Sequence, residues 1–448
     1  MNDPVLITSA IFGAVIFLFF MFMTWKLEGM WFSPGSVFAF AFFCHAFIAP
    51  ISMLENNNTT LLLDTMGQVQ VLSIICFACL TLGYFMGAAG ATRGHIGSNQ
   101  TYALSAQGTN ACAAALVLCI AVNILYSVTS GAFIEGKGAM AYSADASVWG
   151  RIKTVATILI LPLFLTLMVS AITFLGTRRK IFFAILSVVL LVIVIHSLLT
   201  FARHLIAQII LVALIYYNFR VAAIRAKHVG LTLIILFVVS LFSDIRVFGE
   251  GIANLSAEEI FGQLKLSFET NFDPIMFFLQ IGGAIAGQDV FSRVVSLVPD
   301  QEPFRYGATY VESLVGILSP RLITGNYDDI STPAFWFKDV YAPYVVNHGF
   351  DFSMLSEAYL NFGLVMWLPY LVLGFVLARV SFIIRRTQSQ LLLVVSILFI
   401  IALITGLRTD SNAMFKTMVM MPIPIYLLFK IARWKFSASS ASKWNAIS

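Results

Sequence analysis

Phe352-Ser353-Met354-Leu355-Ser356-Glu357-Ala358-Tyr359-Leu360-Asn361-Phe362-Gly363 marks the point where a long polar interruption, from about Gly249 to Asp351, returns to apolar sequence. Every other connection between apolar runs is short. The interruption carries Arg305-Tyr306-Gly307, Pro320-Arg321, the paired acids Asp328 and Asp329, and the aromatics Phe335, Trp336, Phe337, Tyr341 and Tyr344. Connections this long are usually functional or disordered. The aromatic and apolar content of this one argues against disorder. It reads as the working part of the chain, held up by a membrane scaffold.

Composition supplies the scaffold. Of 448 residues, 59% are hydrophobic and 11% charged, against roughly 25% charged in a soluble domain. No soluble fold hides that much apolar surface, so the class is a polytopic membrane protein. A net charge of +5 gives no reason to expect a nucleic-acid partner. The five cysteines (Cys44, Cys76, Cys79, Cys112 and Cys119) all fall inside apolar runs. Cys76 and Cys79 form a C-x-x-C without a second pair or a nearby histidine, and read as small buried residues. The first apolar run lacks a basic leader and a small-residue cleavage site, so it is expected to be retained. Neither a phosphate loop of the G-x-x-x-x-G-K-[ST] kind nor a clustered metal-ligand set is visible. No cofactor or metal is expected, nor is an ATP-driven engine.

A span needs about 20 mostly apolar residues. Eleven stretches qualify: 5–23, 31–53, 67–90, 111–130, 153–175, 181–200, 204–219, 229–248, 354–380, 390–407 and 413–432. With eleven spans, four basic clusters fall on one side. They are Arg178-Arg179-Lys180, then Arg220, Arg225 and Lys227, then Arg385-Arg386, and finally Arg433, Lys435 and Lys443. That side is the cytoplasm. The N-terminus is then periplasmic and the C-terminus cytoplasmic. The loop with Glu55 and Asp64, the turn from Thr200 to His204 and the long interruption lie outside. The expected organisation is spans one to eight in 1–248, a large periplasmic loop with short helices in 249–352, spans nine to eleven in 353–432, and a cytoplasmic tail in 433–448. The segment from Gly131 to Gly150 is a plain linker or part of an outer mouth. Within the loop, Ser256 and Glu259 fit a capping box, with Ile260, Phe261, Leu264 and Phe268 on one helical face. Pro274 to Gly287 reads as a re-entrant or interfacial segment.

Ionisable groups in or beside spans are costly and point to function by default. Arg203, Asp244, Arg246, Glu357, Arg408 and Asp410 all fall on the outer side of this topology. Helices from distant parts of the chain can bring them to one cavity. The plainer reading is that Asp244 pairs with Arg246, and Arg408 with Asp410, or that they snorkel to the interface. Arg203 has no acid within several residues. His45 and His196 lie mid-span and read as buried hydrogen-bonding residues rather than ligands.

Phe304-Arg305-Tyr306-Gly307-Ala308-Thr309-Tyr310, followed by Ile317-Leu318-Ser319-Pro320-Arg321, resembles the loop of oligosaccharide repeat unit polymerases, the O-antigen polymerase or Wzy-type family. Ser356-Glu357-Ala358-Tyr359-Leu360-Asn361-Phe362-Gly363 is similar to the signature that opens that family's next span. Arg203, ahead of an apolar run to Tyr216-Tyr217, resembles an earlier Ser-Arg segment. Direct motif likeness covers about a third of the chain. It departs after Pro320-Arg321, where Leu322-Ile323-Thr324-Gly325 replaces the family's proline and lysine.

The resemblance implies an all-α polytopic membrane protein of about 11 transmembrane helices, with a large extracytoplasmic loop between spans 8 and 9, a GT-C-like arrangement. It implies a metal-independent glycosyltransferase of the bacterial inner membrane. Undecaprenyl-diphosphate-linked oligosaccharides would be polymerised into O-antigen or a similar surface polysaccharide at the periplasmic face, releasing undecaprenyl diphosphate. Membrane lipid, a chain-length regulator and a flippase are the implied partners. A departing diphosphate gathers negative charge, and arginine forks suit its oxygens. Arg305 and Arg321 are the expected catalytic cations, with Arg203, Arg246 and Arg408 binding diphosphate or sugar. Glu357 is the expected base, with Asp351 and Asp410 in reserve. Tyr306, Tyr359 and Trp336 are expected to contact sugar. The rival readings are an O-antigen ligase and a lipid-linked oligosaccharide flippase. A flippase needs charges inside many helices, whereas here they gather outside.

Overall fold

The computed structural model describes residues 4–55, 63–91, 104–130, 147–173, 177–199, 203–220, 287–318, 332–341 and 351–431, with isolated positions between 224 and 266. Every regular element among them is helical. An apolar chain in lipid must satisfy its own backbone polar groups, and the helix does so within one segment. The first half holds α1 (Pro4–Glu28), α2 (Pro34–Phe43), a π-helical turn (Cys44–Ile48) leading into α3 (Ala49–Glu55), and α4 (Leu63–Ala91). There follow α5 (Ala106–Thr129), α6 (Val148–Thr173), α7 (Thr177–Leu199) and α8 (Arg203–Arg220). The polar interruption contributes the short helices α9 (Gln288–Leu297), α10 (Ala308–Leu318) and α11 (Pro333–Tyr341). The last part holds α12 (Met354–Phe362), α13 (Trp367–Arg386), α14 (Gln390–Gly406) and α15 (Ser411–Met420).

Seven helical stretches among the described residues are long and apolar enough to cross a membrane. They are Pro4–Glu28, Pro34–Met53, Asp64–Gly90, Ala106–Thr129, Val148–Ala171, Trp367–Arg386 and Ser411–Ile431. Shorter apolar helices at Ala184–His196, Leu205–Phe219 and Gln390–Gly406 fall on three further expected spans. The expected span 229–248 lies outside the described residues, as do the Gly131–Gly150 linker apart from its last four residues and nearly all of 256–286.

The expected span 354–380 is corrected: it is two helices. α12 ends at Gly363, whose φ of 55° lies in the left-handed region that favours glycine. A 3-10 turn, Gly363–Val365, then leads into α13. Apart from Asn361, the residues from Leu360 to Trp367 are apolar or glycine, so composition alone conceals the break.

The helices gather into two units, one of Met1–His95, Phe272–Arg385 and Phe399–Met418, the other of Ile96–Asn271, Arg386–Leu398 and Val419–Ser448. In the first, α4 and α13 approach at glycines. A Cβ on Gly83 would fall 1.9 Å from the Leu371 carbonyl oxygen, and one on Gly374 would fall 2.0 Å from that of Leu80. Small residues at such crossings let dispersion act over the whole contact, because lipid supplies no hydrophobic drive between helices. Phe42 stacks on Phe77 at 5.0 Å and meets Tyr370 edge-on at 5.6 Å. At the C-terminal end of α1, buried Glu28 accepts a hydrogen bond from the Tyr84 hydroxyl, with Ser381 Oγ 3.4 Å from the same hydroxyl.

In the second unit, α5 carries the polar contacts. Thr157 Oγ1 donates to Asn123 Oδ1 at 2.6 Å, and Ser127 Oγ lies 3.0 Å from His196 Nε2. His196 is therefore hydrogen-bonded, as expected, but it is half-buried and lies in the last turn of α7 rather than mid-span.

Substituting Gly83→Ala forces the α4–α13 contact apart, an overpacking that costs about 1–3 kcal/mol. A lower thermal midpoint in detergent is the expected outcome. Gly67→Ala, where nothing lies within 4 Å of the new Cβ, is expected to hold the midpoint or raise it slightly, because alanine is the better helix former.

Candidate active site

α12 organises the site. Ser353 caps its start, accepting from Ser356 N at 3.3 Å. Seven of its nine residues, Leu355 to Asn361, are buried. Four-residue spacing places Glu357 and Asn361 one above the other on one face. That face is polar and has no contact with solvent: both residues are fully buried.

Glu357 and Asn361 hold two turns that come from different parts of the chain. Glu357 Oε1 accepts from Thr309 Oγ1 at 2.7 Å and from Ser411 Oγ at 2.5 Å, and Oε2 accepts from Ser411 N at 2.7 Å. Ser313 Oγ lies 2.8 Å from Ser411 Oγ and completes the cluster. Asn361 Oδ1 accepts from Gly307 N at 2.9 Å, and its Nδ2 donates to Thr309 Oγ1 at 2.7 Å. Arg305 N and Tyr306 N donate to the carbonyls of Leu360 and Asn361 at 2.9 and 3.0 Å. The Arg305–Gly307 turn thus serves the end of α12, where helical carbonyls lack intrahelical partners. It does so with Tyr306 at φ 48°. A non-glycine residue in that region carries strain that its surroundings must impose, and such residues cluster at working sites.

The second turn precedes α15. Asp410 caps that helix, accepting from Ala413 N at 3.0 Å, and its other oxygen lies 3.4 Å from Ala334 N of α11. The expected Arg408–Asp410 pair does not form. Arg408 instead meets Asp351 Oδ2 through Nε at 3.0 Å and through a terminal nitrogen at 2.9 Å. Both side chains are partly exposed, at 47% and 37%.

Between the two turns lies α11. Arg305 sits 5.7 Å over the Trp336 ring and 4.0 Å from Glu302. Arg293, from α9, sits 4.3 Å over Tyr341. Trp336 and Phe337 both pack on Phe352, at 6.3 and 5.9 Å, and Phe352 adjoins Asp351. Two arginines, Arg305 and Arg293, therefore border one short aromatic helix, and Arg408 pairs with Asp351 next to Phe352, on which that helix packs. Cation–π placement of this kind holds a guanidinium in position while leaving its N–H groups available.

The expected site residues separate clearly. Arg305, Arg408, Glu357, Tyr306, Tyr359 and Trp336 all belong to the first unit. Tyr306 is 82% exposed, whereas Trp336 and Tyr359 are buried, with Tyr359 donating to the Val298 carbonyl at 3.3 Å. Arg203 opens α8 in the other unit, and its side chain lies outside the described residues. Arg246 and Arg321 lie outside them altogether. Sequence reasoning missed Arg293, Asp289 and the Thr309–Ser313–Ser411 hydroxyls. The i, i+4 pair Thr309 and Ser313, facing the i, i+4 pair Glu357 and Asn361, was the signal available. Among the described residues, no group of three or more His, Cys, Asp or Glu side chains is arranged to hold a metal.

Burial lifts the Glu357 carboxyl from its ordinary value of 4.5 to about 7. The hydrogen bonds from Ser411 and Thr309 pull the other way, and the nearby Asp410 charge adds a smaller push upward. Burial likewise raises Asp289, with the Asp351 charge contributing. Between pH 4.5 and about 7 the folded state holds the Glu357 proton and the unfolded state releases it. Folding stability from this group is therefore present at low pH and is lost as pH rises through about 7. Thermal midpoints measured from pH 5 to 8 are expected to fall less steeply in Glu357→Gln than in the unaltered protein. Parallel slopes would remove the buried-carboxyl account.

Comparison with known proteins gives one finding. No curated protein and no solved structure matched the chain. A family model described as O-antigen polysaccharide polymerase Wzy matches residues 5–435. The match covers nearly the whole length of this helical, apolar chain, and the chain belongs to the O-antigen polysaccharide polymerase Wzy family.

Proposed function

We propose that this protein joins undecaprenyl-diphosphate-linked oligosaccharide repeat units into O-antigen or a similar surface polysaccharide. The reaction runs at the periplasmic face of the inner membrane, with the N-terminus periplasmic and the C-terminus cytoplasmic. The observation that carries this reading is the single buried face of α12, which fixes the Arg305 turn and the Arg408 turn around α11.

In the reaction, a sugar hydroxyl on one lipid-linked unit attacks the anomeric carbon of a chain held on another. The new C–O bond forms as the bond from that carbon to the diphosphate oxygen breaks. The bonding pair leaves with undecaprenyl diphosphate, and the hydroxyl proton goes to a base. Negative charge thus grows on the diphosphate, and fixed cations placed there lower the barrier. Arg305 and Arg408 supply that charge in this reading, with Arg321 of the same loop as Arg305 as a further candidate. Tyr306, exposed beside Arg305, offers its ring to the sugar.

The assignment of the base turns on availability. Both Glu357 oxygens already accept hydrogen bonds inside the protein, and Asp410 is engaged as a helix cap. Asp351 is partly exposed, and only its Oδ2 pairs with Arg408. We assign proton acceptance to Asp351 and a positioning role to Glu357. A flippase and a chain-length regulator would act before and alongside this step.

The test uses purified full-length protein with synthetic undecaprenyl-diphosphate-linked repeat units. A ladder of repeats with release of undecaprenyl diphosphate is expected. Folded protein that binds the substrate and yields no ladder would overturn the reading. Arg305→Ala and Arg408→Ala are each expected to lower kcat by about 10²–10³, the cost of losing one donor to a developing anion. The lysine replacements recover only part, because an ammonium lacks the planar fork. Asp351→Asn is expected to stop ladder growth while undecaprenyl diphosphate still binds; an unchanged ladder would return the base role to Glu357.

A further inference from the structure

α10 has its polarity reversed. Its inward residues are polar and buried: Thr309 is 5% and Ser313 2% exposed. Its outward residues are apolar and open: Val311 is 60%, Leu314 46% and Val315 53% exposed. A helix facing water buries the apolar side and shows the polar one. Each Å² of apolar surface left in water forgoes about 25 cal/mol, so the outward face of α10 is built for an apolar neighbour. The adjoining 3-10 turn extends the surface with Leu364 and Val365. α10 is anchored there by its hydroxyls on Glu357 and Ser411, and by the Tyr310 ring stacked on Phe362 at 6.0 Å.

We propose that the outward face of α10 carries the isoprenoid chain of the lipid-linked substrate. The order of groups argues for this occupant. Arg305 and the exposed Tyr306 stand at the N-terminal end of α10, and the apolar row begins one helical turn further on at Val311. Cation first and hydrocarbon next is the order of a lipid diphosphate, with the head at Arg305 and the tail along Val311, Leu314 and Val315. The helix is 11 residues long, about 16 Å. That is too short to cross a hydrocarbon core of about 30 Å and long enough to line several isoprene units. Glu312, the one acid of α10, is offset from the Val311–Val315 row by the 100° step of the helix and borders the track without interrupting it. The inference rests on the diphosphate role given to Arg305, and it adds the consequence that substrate enters sideways from the bilayer.

The test is photochemical labelling of the full chain in phospholipid nanodiscs. The variants are Val311→p-benzoylphenylalanine and, separately, Val315→p-benzoylphenylalanine, with the same substitution at Leu18, an exposed α1 residue, as the control. Radiolabelled undecaprenyl diphosphate is the probe. Labelling is expected at both α10 positions and not at the control. Unlabelled undecaprenyl diphosphate should reduce it to background, while equal amounts of phosphatidylglycerol or inorganic diphosphate should not. Absence of label in monodisperse protein, or label that only phospholipid competes away, overturns the proposal, the latter outcome meaning that bulk bilayer lipid covers the face. Polymerisation without labelling at either position rejects the track and keeps the polymerase reading. Competed labelling in protein that makes no polymer keeps the track and rejects the polymerase reading.

Discussion

A carboxylate sealed from solvent and held only by neutral donors is the constraint on which the packing around α12 depends. Glu357 has a backbone N–H and two hydroxyls around it, and among the described residues no cation pairs with it. Leaving such a group unsatisfied costs more than a single hydrogen bond returns. The donors are therefore fixed as firmly as the acceptor, and each belongs to a different element: Thr309 to α10 and Ser411 to α15. Asn361, one turn along, binds the loop that precedes α10. Two residues on one helix face thereby tie together segments that lie 54 and 48 residues away in the chain.

The turns that carry the two arginines rest on this buried cluster, while their side chains reach partly into solvent. Arg305 and Arg408 are both partly exposed, yet the backbone of each belongs to a turn bonded to α12 or adjoining its Glu357 anchor. Their side chains rest against Trp336 and Asp351. Preorganised cations stabilise developing charge without reorganising at the moment of reaction.

The reversed helix α10 follows from the same anchor. Its polar side is taken up by Glu357 and Ser411, so its apolar side has to face outward. In water that geometry would be unfavourable. Beside a bilayer it makes a surface where a cation site and a hydrocarbon surface meet.

The sequence by itself determined the membrane class and the positions of most helices, because hydropathy and charge act locally and leave a periodic record. Arg408 and Glu357 were recognisable as costly groups in an apolar chain, and Arg305 only through the resemblance of its loop motif. The sequence did not reveal that the expected span 354–380 breaks at Gly363, since a left-handed glycine leaves no trace in hydropathy. Nor did it reveal which acid pairs with Arg408: nearness in sequence favoured Asp410, and the fold supplied Asp351. The role of Thr309 and Ser411 was equally hidden, because a hydroxyl acquires meaning only from what it faces across the packed interior. Partner choice among side chains distant in sequence is set by how helices meet, and the tertiary structure alone decided it.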